Sequence, residues 1–188
     1  MLKGTTADSG ITGTVTFEFQ GTGFGTDGAD PMKVTWSITG LTTSPDADHG
    51  LHIHETGILS ADGSAALGHY VGSGSTTHGC YPNPVRHAGD LGNITFAAGA
   101  SSGSFIRDLG NLQGNYSYIG RMVVLHAAAD DCTGAVGNAG ARLATGVIGV
   151  LPSTSMTDDP PATQETTAPF GATCVFQGGF TDPAIQGT

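Results

Sequence analysis

Apolar and polar residues alternate at the start of the chain. From Ile11 to Phe19, Ile, Gly, Val, Phe and Phe fall on one face and Thr, Thr, Thr and Glu on the other, the period-two pattern of a half-buried strand. Met32–Ile38 repeats the pattern, and further strand-like runs follow at His49–Glu55, Asn93–Ala97, Ser104–Leu109, Ile119–His126 and Arg142–Leu151. Glycine-bearing turns separate most of them, and no helical pattern intervenes. Strands spaced this closely predict an antiparallel sandwich or barrel. Two connections are long, Thr56–Leu91 and Ala127–Ala141. Loops of such length in a compact domain are most often functional, and the first carries three of the seven histidines. No internal repeat stands out.

Composition narrows the picture. The 188 residues suit one domain with a little to spare. Glycine, at 31 positions, is over twice its ordinary frequency, which leaves little room for long helices. From Pro152 onward the chain turns rich in Pro, Thr, Ser and Asp, so residues 1–151 read as the domain and 152–188 as a C-terminal extension, a linker plus a docking arm. Phe170, Val175, Phe176 and Phe180 give that arm something to dock with. No apolar run approaches the ~20 residues that span a bilayer, and Met1–Gly4 lacks the apolar stretch of a signal peptide. A net charge of −10 argues against nucleic acid or an anionic membrane as partner. Three cysteines allow at most one internal disulfide, and none lies in a C-x-x-C pair, so Cys80, Cys132 and Cys174 read as staples.

The histidines carry the chemistry. His52 and His54, two apart on a strand, project from one face and can grip one metal. His69, His78, His87 and Asp90 follow in the long loop, and His126 ends the run Met122–Leu125. Six histidines and one aspartate are more than one site uses. Four such ligands suit tetrahedral zinc and an all-imidazole set suits copper, so two neighbouring metals sharing a ligand fit the count. His49 reads as a structural, hydrogen-bonded residue. Gly21–Gly25 lacks the spacing of a phosphate or dinucleotide loop and reads as a hairpin turn.

Six blocks of the sequence resemble, in order, those of the copper/zinc superoxide dismutases. They are Gly50-Leu-His-Ile-His-Glu55, Gly68-His-Tyr70, Thr77-His-Gly79, Arg86-His-Ala-Gly-Asp-Leu-Gly-Asn-Ile94, Ile119–His126 and Gly137–Gly149. The resemblance implies an all-β fold, a Greek-key β-barrel or sandwich of antiparallel strands with two long functional loops. It implies copper on His52, His54, His69 and His126, and zinc on His69, His78, His87 and Asp90, with His69 as bridge. Asp130 falls where the family ties a copper histidine to a zinc histidine, and Arg142 at the family's anion-guiding arginine. The implied substrate is superoxide, converted to dioxygen and hydrogen peroxide, with His69 passing a proton.

Departures from the family pattern carry expectations of their own. Gly63 and Thr145 stand where the family has its usual disulfide. Cys80 lies two residues after His78 and Cys132 two after Asp130, which makes a Cys80–Cys132 bond the expected replacement, with Cys174 as the competing partner. The second loop is short and carries Ala135 and Val136 where a Lys and a Thr often stand, so electrostatic steering should be weak. The first strand begins only at Leu2, which leaves two alternatives open: residues removed upstream, or a tail that covers this edge. The rival reading is a non-enzymatic copper-binding or structural module of the same fold, which usually lacks a copper ligand or the arginine. Homodimer and monomer both stay open. An extracellular or periplasmic location is expected, with the cytoplasm also open.

Overall fold

The computed structural model describes residues 2–4, 8–20, 31–108, 110–151 and 171–176. Leu109, Phe170 and Phe180, named above, lie outside the described residues, as does the 152–170 connection. Among the described residues, ten strands form the framework: β1 Leu2–Gly4, β2 Thr12–Phe19, β3 Met32–Thr39, β4 Asp48–His54, β5 Asp90–Thr95, β6 Ser101–Arg107, β7 Met122–His126, β8 Arg142–Val147, β9 Gly149–Val150 and β10 Gly171–Phe176. Two single-turn 3-10 helices, Ser64–Ala66 and Gly114–Tyr116, interrupt the loops, and no α-helix occurs among the described residues.

The strands follow the order β5-β4-β7-β8-β1-β10-β2-β3-β6, with β9 against β10. Every pairing is antiparallel except that of β1 with β10. The two end strands, β5 and β6, are consecutive in sequence and touch, joined by a tight turn in which Ala97 and Ala100 exchange backbone hydrogen bonds. The sheet therefore curls into a barrel with Greek-key crossovers.

The opening alternation sets the core. Ile11, Val15 and Phe17 are fully buried, as are Met32, Val34 and Ile38 from β3, while the intervening threonines stay half-exposed. Leu51, Ile53, Ile94, Leu125 and Leu143 fill the opposite wall. Tyr118 meets Phe17 edge-on at 5.7 Å between ring centroids and donates its hydroxyl to the Ala88 carbonyl at 2.6 Å. One contact thus joins the barrel interior to the long loop.

The tail edge resolves as a strand pairing. β10 runs antiparallel to β2 from Gly171↔Glu18 to Phe176↔Gly13 and antiparallel to β9 through Ala172↔Val150 and Thr173↔Gly149. Ala172 and Cys174 are buried in the barrel.

Candidate metal centre

Two local irregularities in the sheet aim the histidines. Strand β4 pairs regularly with β5 as far as Leu51↔Gly92, then skips Leu91 so that His52 faces Asp90. Strand β7 pairs with β8 as far as Leu125↔Ala144, then skips Leu143 so that His126 faces Arg142. Bulges of this kind redirect side chains at a sheet's rim. With His52 and His54 on one face of β4, they bring His52, His54, His69 and His126 together, all buried. One nitrogen from each lies within 4.8 Å of the others. His69 enters from the loop through a bridge to His54.

Hydrogen bonds decide which nitrogen each ring presents. Carbonyls only accept, so His54 Nδ1 donates to Leu67 at 2.8 Å and His126 Nδ1 to Gly140 at 3.1 Å. Their Nε2 atoms then carry lone pairs, and they face each other at 3.3 Å. Burial is the main cause that lowers these two imidazoles, to about 3 for His54 and about 2 for His126, so protonation does not relieve the opposition. His52 Nε2 donates to Asp130 Oδ2 at 2.8 Å, which leaves its buried Nδ1 without a hydrogen-bond partner. Burial lowers its pKa to about 4 despite that bond. Bare imidazole nitrogens converging in a buried pocket fit a cation such as copper.

A second donor set adjoins the first through His69. His69, His78, His87 and Asp90 are all buried and also present ligand atoms within 4.8 Å of one another. His69 Nδ1 lies 2.8 Å from Asp90 Oδ1, which turns Nε2 toward the other set. Its ring centroid is 4.1 Å from that of His52 and 5.3 Å from that of His78. His78 Nδ1 sits 3.1 Å from Asp90 Oδ2 without hydrogen-bond geometry, two donors aimed at a common point. Burial opposes charging His78, yet its hydrogen bond to Asp130 and the adjacent Asp90 and Asp130 carboxylates outweigh it and raise its pKa to about 9. Against the upward push of burial, bonds from His69 and the Gly79 N–H, together with the adjacent His78 imidazole, hold the Asp90 carboxyl well below the usual carboxylate range. Three imidazoles and a carboxylate fit tetrahedral zinc.

Asp130 ties the two sets together, accepting from His52 with Oδ2 and from His78 with Oδ1 at 3.0 Å. Those bonds and the Cys132 N–H, 2.8 Å from Oδ1, overcome burial and keep its carboxyl strongly depressed. Asn93, which sequence reasoning passed over, grips the Asp130 backbone on both sides: its Oδ1 accepts the N–H at 2.7 Å and its Nδ2 donates to the carbonyl at 2.8 Å. Gly137 closes over the carboxylate at φ 66°, where an added Cβ would stand 2.0 Å from Asp130 Oδ1. Only glycine fits there. Cys80 and Cys132 are bonded, 5.2 Å between Cα atoms, and Cys174 is the free, buried thiol, pushed up to about 12 by burial. The disulfide joins the two long loops beside His78 and Asp130.

Arg142 lies half-buried at the rim and donates to the carbonyls of Gly63 and Leu67. Gly63 and Thr145, which replace the usual cysteines, are neighbours: a Cβ on Gly63 would meet Thr145 Cγ2 at 2.9 Å. His49 lies outside both sets, with Nδ1 2.8 Å from the His126 carbonyl and Nε2 3.0 Å from the Ser44 carbonyl. It braces the backbone of a candidate ligand.

A Greek-key barrel with two buried donor sets meeting at one imidazole defines a binuclear metalloprotein. The family model for copper/zinc superoxide dismutase matches residues 11–148. The chain is 41% identical over 151 residues to a superoxide dismutase [Cu-Zn] of Humicola lutea, covering 76% of this chain and 93% of that one. It is 39% identical over 158 residues to the Saccharomyces cerevisiae enzyme, covering 80% and 95% of the two chains. It is 36% identical over 166 residues to an extracellular superoxide dismutase [Cu-Zn] of Caenorhabditis elegans, covering 82% and 72%. Among solved structures, the clock protein EA4 superimposes with a TM-score of 0.60 at 33% identity, covering 76% of this chain and 95% of that one. The chain belongs to the copper/zinc superoxide dismutase family.

Proposed function

We propose that this protein disproportionates superoxide, two superoxide ions and two protons giving dioxygen and hydrogen peroxide, with copper on His52, His54, His69 and His126 and zinc on His69, His78, His87 and Asp90. The observation that carries the reading is the placement of His69 between two buried donor sets. Copper held there would supply one-electron redox chemistry, and zinc, which has no redox chemistry, a fixed charge.

The chain's own residues do the rest. His54 and His126 are held in one tautomer by the Leu67 and Gly140 carbonyls, so their Nε2 atoms stay available as donors. Asp90 fixes the orientation of His69 from its Nδ1 side, which makes Nε2 the atom that takes up a proton in one half of the cycle and delivers it in the other. Asp130 holds His52 and His78 in fixed relation, so the two sets keep their spacing as charge changes. Arg142 brings a cationic guanidinium to the mouth of the copper set, where it attracts and orients a small anion in a protein of net charge −10.

Among the described residues no helix is long and apolar enough to cross a membrane. The buried disulfide-flanked site suits an oxidising compartment, the extracellular space or a periplasm. Purified protein loaded with both metals should accelerate superoxide decay in stopped flow, lose that activity on chelation and regain it with copper. Tight binding of both metals with no acceleration would instead favour a metal-binding module.

A further inference from the structure

The end of the chain reproduces its beginning. Aligned without a gap, Phe176–Thr188 matches Leu2–Thr14 with glycine at 4 and 178, aspartate at 8 and 182, isoleucine at 11 and 185, glycine at 13 and 187, and threonine at 14 and 188. Leu2 aligns with Phe176. The shared identities fall on positions the barrel needs. Asp8 is buried and accepts the backbone N–H groups of Thr42 and Thr43. Ile11 is fully buried in the core. Gly13 lies so close to β3 that a Cβ would meet the Ser37 carbonyl at 2.3 Å.

The sheet gives the same alignment independently. β1 and β10 run parallel, side by side, and their register partners are Leu2 and Phe176, the very positions that the sequence match places opposite each other. β1 pairs with β8, while β10 holds the place along β2 from Gly13 to Glu18 and reaches β9 on its other side. Two opening strands therefore divide between them the position next to β2 and β8. What holds β10 there is a run of backbone ladder bonds along β2 plus the burial of Ala172 and Cys174, a combination that every copy of the barrel offers equally. The connecting residues 152–170, nineteen by sequence, can extend to roughly 65 Å, long enough to reach a neighbouring barrel.

We propose that residues 176–188 are a second copy of the domain's opening segment, and that β10, which leads into that copy, is an exchangeable stave whose partner is another copy of this chain, seated beside that copy's β2. Exchange of an identical element is a low-cost route to association, because every contact made in the donor's own barrel is recovered in the acceptor's.

Thr16 and Thr173 supply the test. They are register partners, half-exposed, with hydroxyl oxygens 3.5 Å apart on the outer face of the barrel. The full-length double variant Thr16→Cys/Thr173→Cys should form an intrachain disulfide when oxidised dilute, which reports that β10 occupies the slot. The two single variants, each full length, are then mixed at high concentration, warmed gently below the unfolding transition and oxidised. Neither single variant can make the bond within one chain. The proposal expects a covalent dimer of doubled mass whose cross-linked peptide joins residues 16 and 173, with a yield that falls at least several-fold on tenfold dilution before oxidation. A double variant that closes its own disulfide while the mixture yields no 16–173 peptide at any concentration overturns the exchange. Failure of both to cross-link overturns the placement of β10 itself. Neither readout depends on bound metal or on activity.

Discussion

His54 and Arg142 meet on one atom. The Leu67 carbonyl accepts the Nδ1–H of His54 at 2.8 Å and also a guanidinium N–H of Arg142, whose second arm holds the Gly63 carbonyl. The arginine proposed to attract the substrate is thus part of the same hydrogen-bonded unit that fixes the tautomer of a proposed copper ligand. Placement of charge and preparation of the ligand are coupled through the backbone of one loop.

Arg142→Glu should lower kcat/KM for superoxide by more than tenfold, because it reverses the charge at the mouth of the copper set and removes two donors from the loop. Arg142→Lys keeps the charge without the planar fork and should cost less. Pulse radiolysis at low ionic strength reads both. An unchanged rate in Arg142→Glu would place this residue outside the path of the substrate.

Asp130 and Gly137 should behave as one device. Asp130→Asn leaves one acceptor oxygen where two histidines donate, and loss of such an outer partner typically costs 10–100-fold in metal affinity. Gly137→Ala should weaken zinc in the same direction, since the added methyl collides with Asp130 Oδ1 and φ is positive. Competition with a chromophoric zinc chelator measures both. Full zinc affinity in Gly137→Ala would show that the loop yields without moving the carboxylate.

The Cys80–Cys132 bond closes a sequence separation of 52, for which chain-entropy estimates give about 4 kcal/mol. Because it sits beside His78 and Asp130, Cys80→Ser/Cys132→Ser should lose melting temperature and zinc retention together. A drop in melting temperature with zinc binding untouched would make the disulfide a staple with no hold on the metal site.

Charge patterns predict an unusual salt response. Thr133–Ala141 carries no charged residue, and the net charge is −10. Two of the remaining cations are engaged elsewhere, Arg86 against Asp108 and Arg121 against Glu55. The Debye length falls from about 30 Å to about 10 Å between 0.01 and 0.1 M salt, so long-range repulsion is screened while a short-range contact at Arg142 persists. The superoxide rate should fall only shallowly over that range, or rise slightly. A steep decline would require a positive funnel that this chain does not display among its described residues.

The candidate metal site was legible because its residues declare themselves. A His-x-His pair on a strand, a histidine-rich loop and a histidine closing an apolar run name their positions without any structure. The supporting groups do not. Leu67 and Gly140 act through carbonyls, which any residue possesses, and Asn93 and Gly137 matter only once the loops fold over Asp130. Strand β4 was placed correctly although its burial does not alternate, since Gly50 through His54 are all enclosed by loops on the outside and core within. The tail was read as a docking arm. It was also one candidate to cover the edge at the first strand, but nothing in Gly171–Phe176 names the strand it joins, so the pairing with β2 came only from the fold.

His69 is proposed to be shared by two metals, and magnetic coupling tests that sharing. When copper(II) fills both donor sets, an electron paramagnetic resonance spectrum recorded at low temperature should show far less signal than two isolated ions give, because a bridging imidazolate couples their spins. Two full, independent copper(II) signals from the doubly loaded protein would contradict the shared histidine and, with it, the proposed path of the proton.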